Sequence, residues 1–321
     1  MGALLRRKSR TATCSEASTL DEKSGRTQHA TCKVALLRHA PRVSWIWCNG
    51  EFLEGPLAIS PADRGLTHGL GVFETLLALE GQPVALDLHL ARMKEGSERL
   101  GLDGGKIGEE GIGAAMTGLL DRAGLSKGRA RVRLALSAGA GDLRCLKPGS
   151  HGLLWITVAA CPPPPESVTL VTAGFPRNER SPLSGIKCAS YAENLVALDQ
   201  ARRAGADEAL FFNTRGELCE AATANVFLVR EGQVLTPQLS SGCLPGTMRA
   251  RVMARIAVEE QPLTAADLAA AEEVFVSSAT RGVVPVVRLD GRVLAAGPVT
   301  AEVAQLCKLR WGGGGPHPMT S

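Results

Sequence analysis

Apolar and polar residues follow two periods along this chain, and the periods change places often. VSWIWCNGEFLEG (43–55) reads as strand, Asn-Gly turn, strand, a tight hairpin. ISPADRGLTHGLGVFET follows without a clear period and predicts a loop running into the next strand. VFETLLAL and QPVALD predict paired strands around a Gly81-Gln82 turn. The period then lengthens. DLHLARMKEGSERL (87–100), with Leu88, Leu90, Met93 and Leu100 apolar, predicts a helix, and GIGAAMTGLLDRAGL a second one ending near Gly124. RARVRLALSAG (129–139) and GLLWITVAA (152–160) return to strand spacing.

CPPPPES (161–167) interrupts this order. Four consecutive prolines join neither a helix interior nor a central strand and favour an extended connector. After it come a strand SVTLVTAG, a helix at 190–204, then strands DEALFFN, ELCEAAT, NVFLVREG and QVLTPQ, with an Arg215-Gly216 turn. A helix over 246–260, a short helix AADLAAA, strands EEVFVSSAT and VVPVVRLDG, and a closing helix 299–308 complete the pattern. The expectation is a mixed α/β (α+β) chain with two domains. A small α+β domain spans 44–160, residues 161–167 link it, and a larger domain spans 168–308. A basic extension (1–43) and a glycine-rich tail (309–321) flank them.

Charge changes the picture in one place. Residues 1–43 carry nine Lys/Arg against three acids, a net +6 that leaves −2 for the rest of a chain whose formal net charge is +4. The globular body is therefore not basic, which argues against nucleic acid as a partner. The Arg/Ser/Thr/Ala-rich opening has the composition of an organelle signal, but Glu16, Asp21 and Glu22 argue against one. A cytoplasmic protein with a plain extension is the expectation. No apolar run is long enough to span a bilayer. The nine cysteines are scattered and form no C-x-x-C pair, which speaks against a disulfide framework and against a metal site.

Two charged residues stand out against these apolar surroundings. Lys187 lies in SPLSGIKCASYAENLVAL between Ile186 and Cys188, just ahead of the 190–204 helix. Glu220 lies in GELCEAATANVFLVREG beside Cys219, where one strand gives way to the next. A buried carboxylate is costly unless something compensates it. One cofactor suits both residues. Pyridoxal 5'-phosphate (PLP) needs an amine to hold its aldehyde and an acid to keep its ring nitrogen protonated. A lone lysine or turn glutamate is more often solvated surface, so the frame around them matters. K-x-x-x-Y-x-x-N-x-x-A-L, A-D-E-A-L-F-F-N, E-x-x-x-x-N-V-F and L-P-G-T-M-R together closely resemble the class IV (fold type IV) PLP enzymes. That family holds branched-chain aminotransferases, D-amino-acid aminotransferases and 4-amino-4-deoxychorismate lyases. The resemblance covers about residues 45–298.

The resemblance implies a two-domain fold type IV enzyme with a β-barrel-like second domain, a homodimer, and PLP bound covalently through Lys187. Glu220 then partners the ring nitrogen, and Tyr191, the only tyrosine, bonds the cofactor's phenolic oxygen. Arg92, in H-x-x-R, Gly246 and Thr247 at a helix start, and Ser278 or Thr280 form the phosphate cup. The family's usual hydroxyl positions fall here at Met248 and Ala279, so Thr247, and Ser278 or Thr280, have to substitute. Phe73, Thr75 and Arg133 are the substrate-side candidates, and His68 is read as structural.

Within the family, F-E-T (73–75), S-Y-A-E-N and Arg281-Gly282-Val283 resemble the lyases. The arginine with which D-amino-acid aminotransferases grip a carboxylate falls at Ala138. The resemblance thus implies a lyase converting aminodeoxychorismate to 4-aminobenzoate and pyruvate in folate biosynthesis, supplied by an aminodeoxychorismate synthase. A branched-chain or D-amino-acid aminotransferase is the alternative, and an inactive PLP-binding protein the remote one.

Overall fold

The computed structural model describes residues 45–308, apart from 105–107, 143, 148, 150 and 151. The basic extension and the glycine-rich tail lie outside the described residues.

The Asn49-Gly50 turn joins β1 (Trp45–Cys48) to β2 (Glu51–Glu54), both turn residues taking positive φ as this hairpin type requires. The hairpin forms one side of a six-stranded antiparallel sheet. Its order is β2-β1-β6-β5-β3-β4, with β3 at Gly71–Leu79, β4 at Gln82–Pro83, β5 at Arg129–Ser137 and β6 at Leu154–Ala160. Two helices, α2 (Leu86–Arg99) and α3 (Glu109–Arg122), belong with this sheet. Met93, Met116, Leu119, Leu76 and Leu134 share its core. Alternation over the first half of β5 decides what faces where, before the strand is buried on both faces from Leu134 to Ser137. Ala130, Val132, Leu134 and Leu136 are buried, while Arg131 and Arg133 on the other face are exposed.

The connector 161–166 has no regular structure. Beyond it, a nine-stranded mixed sheet runs β12-β11-β10-β13-β14-β7-β8-β9, with β15 on β14. The strands are β7 (Val168–Thr172), β8 (Glu208–Phe212), β9 (Leu218–Ala221), β10 (Asn225–Arg230), β11 (Gln233–Pro237), β12 (Glu259–Gln261), β13 (Glu273–Ser278), β14 (Gly282–Leu289) and β15 (Arg292–Val293). Although β9 is the last strand of that order, it hands the chain to β10 through a bridge between Ala221 and Ala224. The sheet curls into a half-barrel around Val226, Leu228, Val274, Val276, Val284 and Val286. The helices α4 (Ala192–Arg203), α5 (Thr247–Met253), α6 (Ala265–Ala270) and α7 (Pro298–Leu306) accompany it.

Four expectations need correction. The loop after the first hairpin contains a helix, α1 (Arg64–His68), started by Asp63, whose carboxylate accepts from the Gly65 N–H at 2.7 Å. Its five residues are too few to show a helical period. The hairpin turn into β4 is Glu80-Gly81, both with positive φ, and β4 keeps only two residues before the chain turns into α2. The helix expected over 246–260 stops at Met253. Glu260 pairs with the buried Arg249 at 2.5 Å, and 259–261 run as a strand parallel to β11 instead. An Asp290-Gly291 turn adds β15, which was not expected. Among the described residues no helix is long and apolar enough to cross a membrane.

Candidate active site

One cavity of about 720 Å³ is lined by every residue read from the sequence as touching cofactor or substrate: Lys187, Glu220, Tyr191, Arg92, Gly246, Thr247, Ser278, Thr280, Phe73, Thr75 and Arg133. His68 and Ala138 do not line it.

Lys187 is held by backbone pairing of its segment with the start of β3, through a bridge between Val72 and Cys188. The Phe73 N–H donates to the Lys187 carbonyl at 3.0 Å, and the Ala189 N–H to the Gly71 carbonyl at 2.8 Å. The segment 187–189 therefore lies alongside the start of β3, ahead of α4 and not within it. Gly69 makes room for this approach. It ends α1 at φ +64, and a Cβ there would stand 2.5 Å from the Ser190 hydroxyl. The Lys187 Nζ lies 4.5 Å from the Phe73 ring centre and 5.2 Å from that of Tyr191. Burial lowers its pKa, Glu74 and Glu220 oppose this, Arg92 and Arg133 add to it, and the result is about 8. A neutral amine is thus within reach near neutral pH.

Glu220 sits on β9, where burial pushes its carboxyl up and Arg177 works against that rise. One oxygen accepts from the Leu244 N–H at 2.9 Å, and the other lies 3.6 Å from the Arg177 guanidinium. Arg177 also pairs with Glu193 and stacks on Phe211 at 4.2 Å, yet its Nε and Nη2 are buried without a hydrogen-bond partner. Tyr191 precedes α4, edge-on to Phe73, and its hydroxyl donates to the Ala222 carbonyl at 2.9 Å. Burial, with Glu220 and Glu208, raises the phenol, so it stays protonated.

Arg92 reaches the cavity from α2 in the grip of a residue the sequence reading passed over. Glu74 accepts from Arg92 twice, at 2.8 and 2.6 Å, and from His89 Nδ1 at 2.7 Å. Burial alone would raise this carboxyl. Arg92 and the bonds from His89 and Arg92 outweigh it and hold it at about 2. With its Nδ1 proton directed at Glu74, His89 can accept at Nε2 from the Thr247 hydroxyl, 3.2 Å away. A signal for this network was present. Glu74 alternates with Phe73 and Thr75 and so faces α2, where H-x-x-R spacing sets His89 and Arg92 on one side. Arg177 had no comparable signal, because its partners come from α4 and β9.

Gly246 is required for close approach: a Cβ there would stand 1.9 Å from Asn225 Oδ1. Ser278 accepts from Arg281 at 3.2 Å, and the Thr280 carbonyl accepts from Arg129 at 2.7 Å. Arg281 is fixed by the buried Glu208 at 2.8 Å. Among the described residues no cluster of His, Cys, Asp or Glu could hold a metal ion.

A desolvated amine, a buried carboxylate and several cationic or hydroxyl groups around one cavity fit PLP by donor type. Fold and site together define a fold type IV PLP enzyme. The amino-transferase class IV family model matches residues 71–289, and the chain belongs to that family. A Methanocaldococcus jannaschii protein named "Putative branched-chain-amino-acid aminotransferase" is 31% identical over 286 residues, covering 83% of this chain and 97% of its own. The aminodeoxychorismate lyase of Bacillus subtilis is 29% identical over 209 residues, 64% of this chain and 71% of its own. A crystal structure titled "Putative 4-amino-4-deoxychorismate lyase", from Legionella pneumophila, superposes with a TM-score of 0.72 at 26% identity, covering 78% of this chain and 94% of that one.

Proposed function

We propose that this chain is a PLP-dependent lyase that splits 4-amino-4-deoxychorismate into 4-aminobenzoate and pyruvate. The observation that carries this reading is Arg133. Its guanidinium stands 4.0 Å over Phe73, the ring that also carries the Lys187 amine, and it has no acidic partner among the described residues. A carboxylate grip beside the reactive amine suits an acid substrate better than an aliphatic side chain. The F-E-T and R-G-V segments support the same branch.

When bound, PLP supplies an aldehyde that takes up the substrate amine and a ring that draws off electrons as the adjacent C–H bond breaks. Lys187 would hold the cofactor through its Nζ and, once free, would serve at that atom as the base for the proton on the carbon bearing the substrate amine. Glu220 would keep the ring nitrogen protonated, and Arg177 opposes the rise that burial imposes on the Glu220 carboxyl. Tyr191 would bond the phenolic oxygen by turning its one O–H proton away from the Ala222 carbonyl. Arg92, Gly246 and Thr247, with Ser278 or Thr280, hold the phosphate, while Phe73, Thr75 and Arg133 orient the substrate. The neighbouring C–O bond would break with its electron pair leaving on enolpyruvate, which takes up a proton to become pyruvate, and the substrate ring would be left aromatic. The proposal includes a cytoplasmic homodimer supplied by an aminodeoxychorismate synthase.

The 31% identity to a protein named as a branched-chain aminotransferase favours a second reading, amino-group transfer. Lys187, Glu220 and the phosphate residues serve both reactions equally. Incubation with chorismate, glutamine and an aminodeoxychorismate-forming synthase separates them: 4-aminobenzoate should accumulate, and its absence rejects the lyase.

A further inference from the structure

Five arginines line the cavity: Arg92, Arg131, Arg133, Arg177 and Arg281. Three are neutralised by carboxylates. Arg92 pairs with Glu74, Arg177 with Glu193 and Glu220, and Arg281 with Glu208. The other two, Arg131 and Arg133, have no carboxylate partner among the described residues.

These two stand at alternate positions of β5, so both side chains leave the same face, with backbones roughly 6–7 Å apart. The register gives their order along the wall. Phe73 lies opposite Ala135, Arg133 opposite Thr75, and Arg131 opposite Leu77. Arg133 is therefore the inner cation, against Phe73, and Arg131 the outer one. Arg129, the next on this face, is tied to the Thr280 carbonyl at 2.7 Å and does not line the cavity. Two adjacent guanidinium groups without a counter-charge repel each other. Although Arg133 keeps exposed surface, partial desolvation in the cavity wall, together with Arg131, pushes its pKa down against an opposing influence from Tyr191. The residues proposed for the phosphate come from α2, the start of α5, the end of β13 and the turn after it, which leaves these two cations for the substrate.

We propose that Arg131 and Arg133 form a two-point clamp for a substrate bearing two carboxylates, and that Arg131 sets the preference for a diacid over a monoacid. This rests on the reading of Arg133 as the inner carboxylate grip. It holds for any diacid at this site, whether the reaction is elimination or amino transfer.

The test is binding of inert acids to the PLP-loaded enzyme, read by calorimetry or by the cofactor absorbance. Isophthalate and benzoate differ by one carboxylate. Wild type should bind isophthalate about tenfold or more tightly than benzoate, the scale of one charge-assisted pair. Arg131→Gln should reduce isophthalate to the benzoate level and leave benzoate and PLP affinity unchanged. Arg131→Lys, which keeps the charge without the planar fork, should fall between. No preference in wild type, equal weakening of both acids, or loss of PLP from the glutamine variant would each overturn the clamp. Failure of the lyase reading is distinct. An enzyme that prefers isophthalate but makes no 4-aminobenzoate keeps the clamp and loses the lyase, and the converse result does the reverse.

Discussion

Burial makes Lys187 a weaker base before any cofactor arrives. Its pKa falls from 10.5 to about 8 on folding, so the folded state disfavours the charged form. That penalty is full below about pH 8 and disappears as pH rises through the unfolded value of 10.5. In the cofactor-free protein, Lys187→Met should therefore raise stability at pH 7 by at most about 3 kcal/mol, with the gap closing toward pH 10.5. Urea unfolding of both proteins at several pH values checks this, and a gap independent of pH contradicts it. Glu220→Gln tests the opposite wall of the cavity. The amide cannot keep a ring nitrogen protonated, so turnover should fall by about 100-fold or more while PLP still binds. Near-normal turnover assigns Glu220 a structural role only.

At the scale of elements, the site depends on how α2 and α5 dock beside β3. Glu74 is the joint. Its depressed pKa, about 2 against an ordinary 4.5, contributes stability that is present above 4.5 and lost as pH falls through about 2. Glu74→Gln should flatten the acid limb of a stability–pH curve and cost about 3 kcal/mol or more at pH 7, because the buried Arg92 loses its partner. An unchanged acid limb would place that stability elsewhere. Gly246→Ala drives a methyl group into Asn225, whose amide donates to the Leu244 carbonyl at 2.8 Å. It should displace the 244–247 turn at a cost of about 1–3 kcal/mol and weaken PLP in a fluorescence titration. Unchanged PLP affinity excludes this turn from the phosphate cup. The strands and the longer helices were legible because their apolar periods were long enough to count. The five-residue α1 and the end of α5 were not, since a buried Asp63–Gly65 cap and an Arg249–Glu260 pair decide them. Lys187, Glu220 and their frame were legible as a cluster. Glu74 left a signal, its alternation with Phe73 and Thr75 opposite an H-x-x-R helix face, that was passed over, whereas Arg177 left none because its partners are brought together only by the fold.

For the molecule as a whole, the charge that matters is local. The described body is not basic, yet its cavity concentrates five arginines and Lys187 on a few strands and helices. Three of those arginines are paired with carboxylates, and the other two line the cavity with no carboxylate partner among the described residues. The central claim is that this space takes an acid whose breakdown releases pyruvate. The most direct measurement supplies purified enzyme with aminodeoxychorismate and follows products and cofactor absorbance together. The account predicts 4-aminobenzoate and pyruvate in equal amounts, with the cofactor spectrum unchanged between cycles, and little spectral change with D-alanine, L-leucine or L-glutamate over minutes. Rapid conversion of the cofactor to its amine form by any of those amino acids, with no 4-aminobenzoate from aminodeoxychorismate, would contradict it and assign the chain to amino transfer.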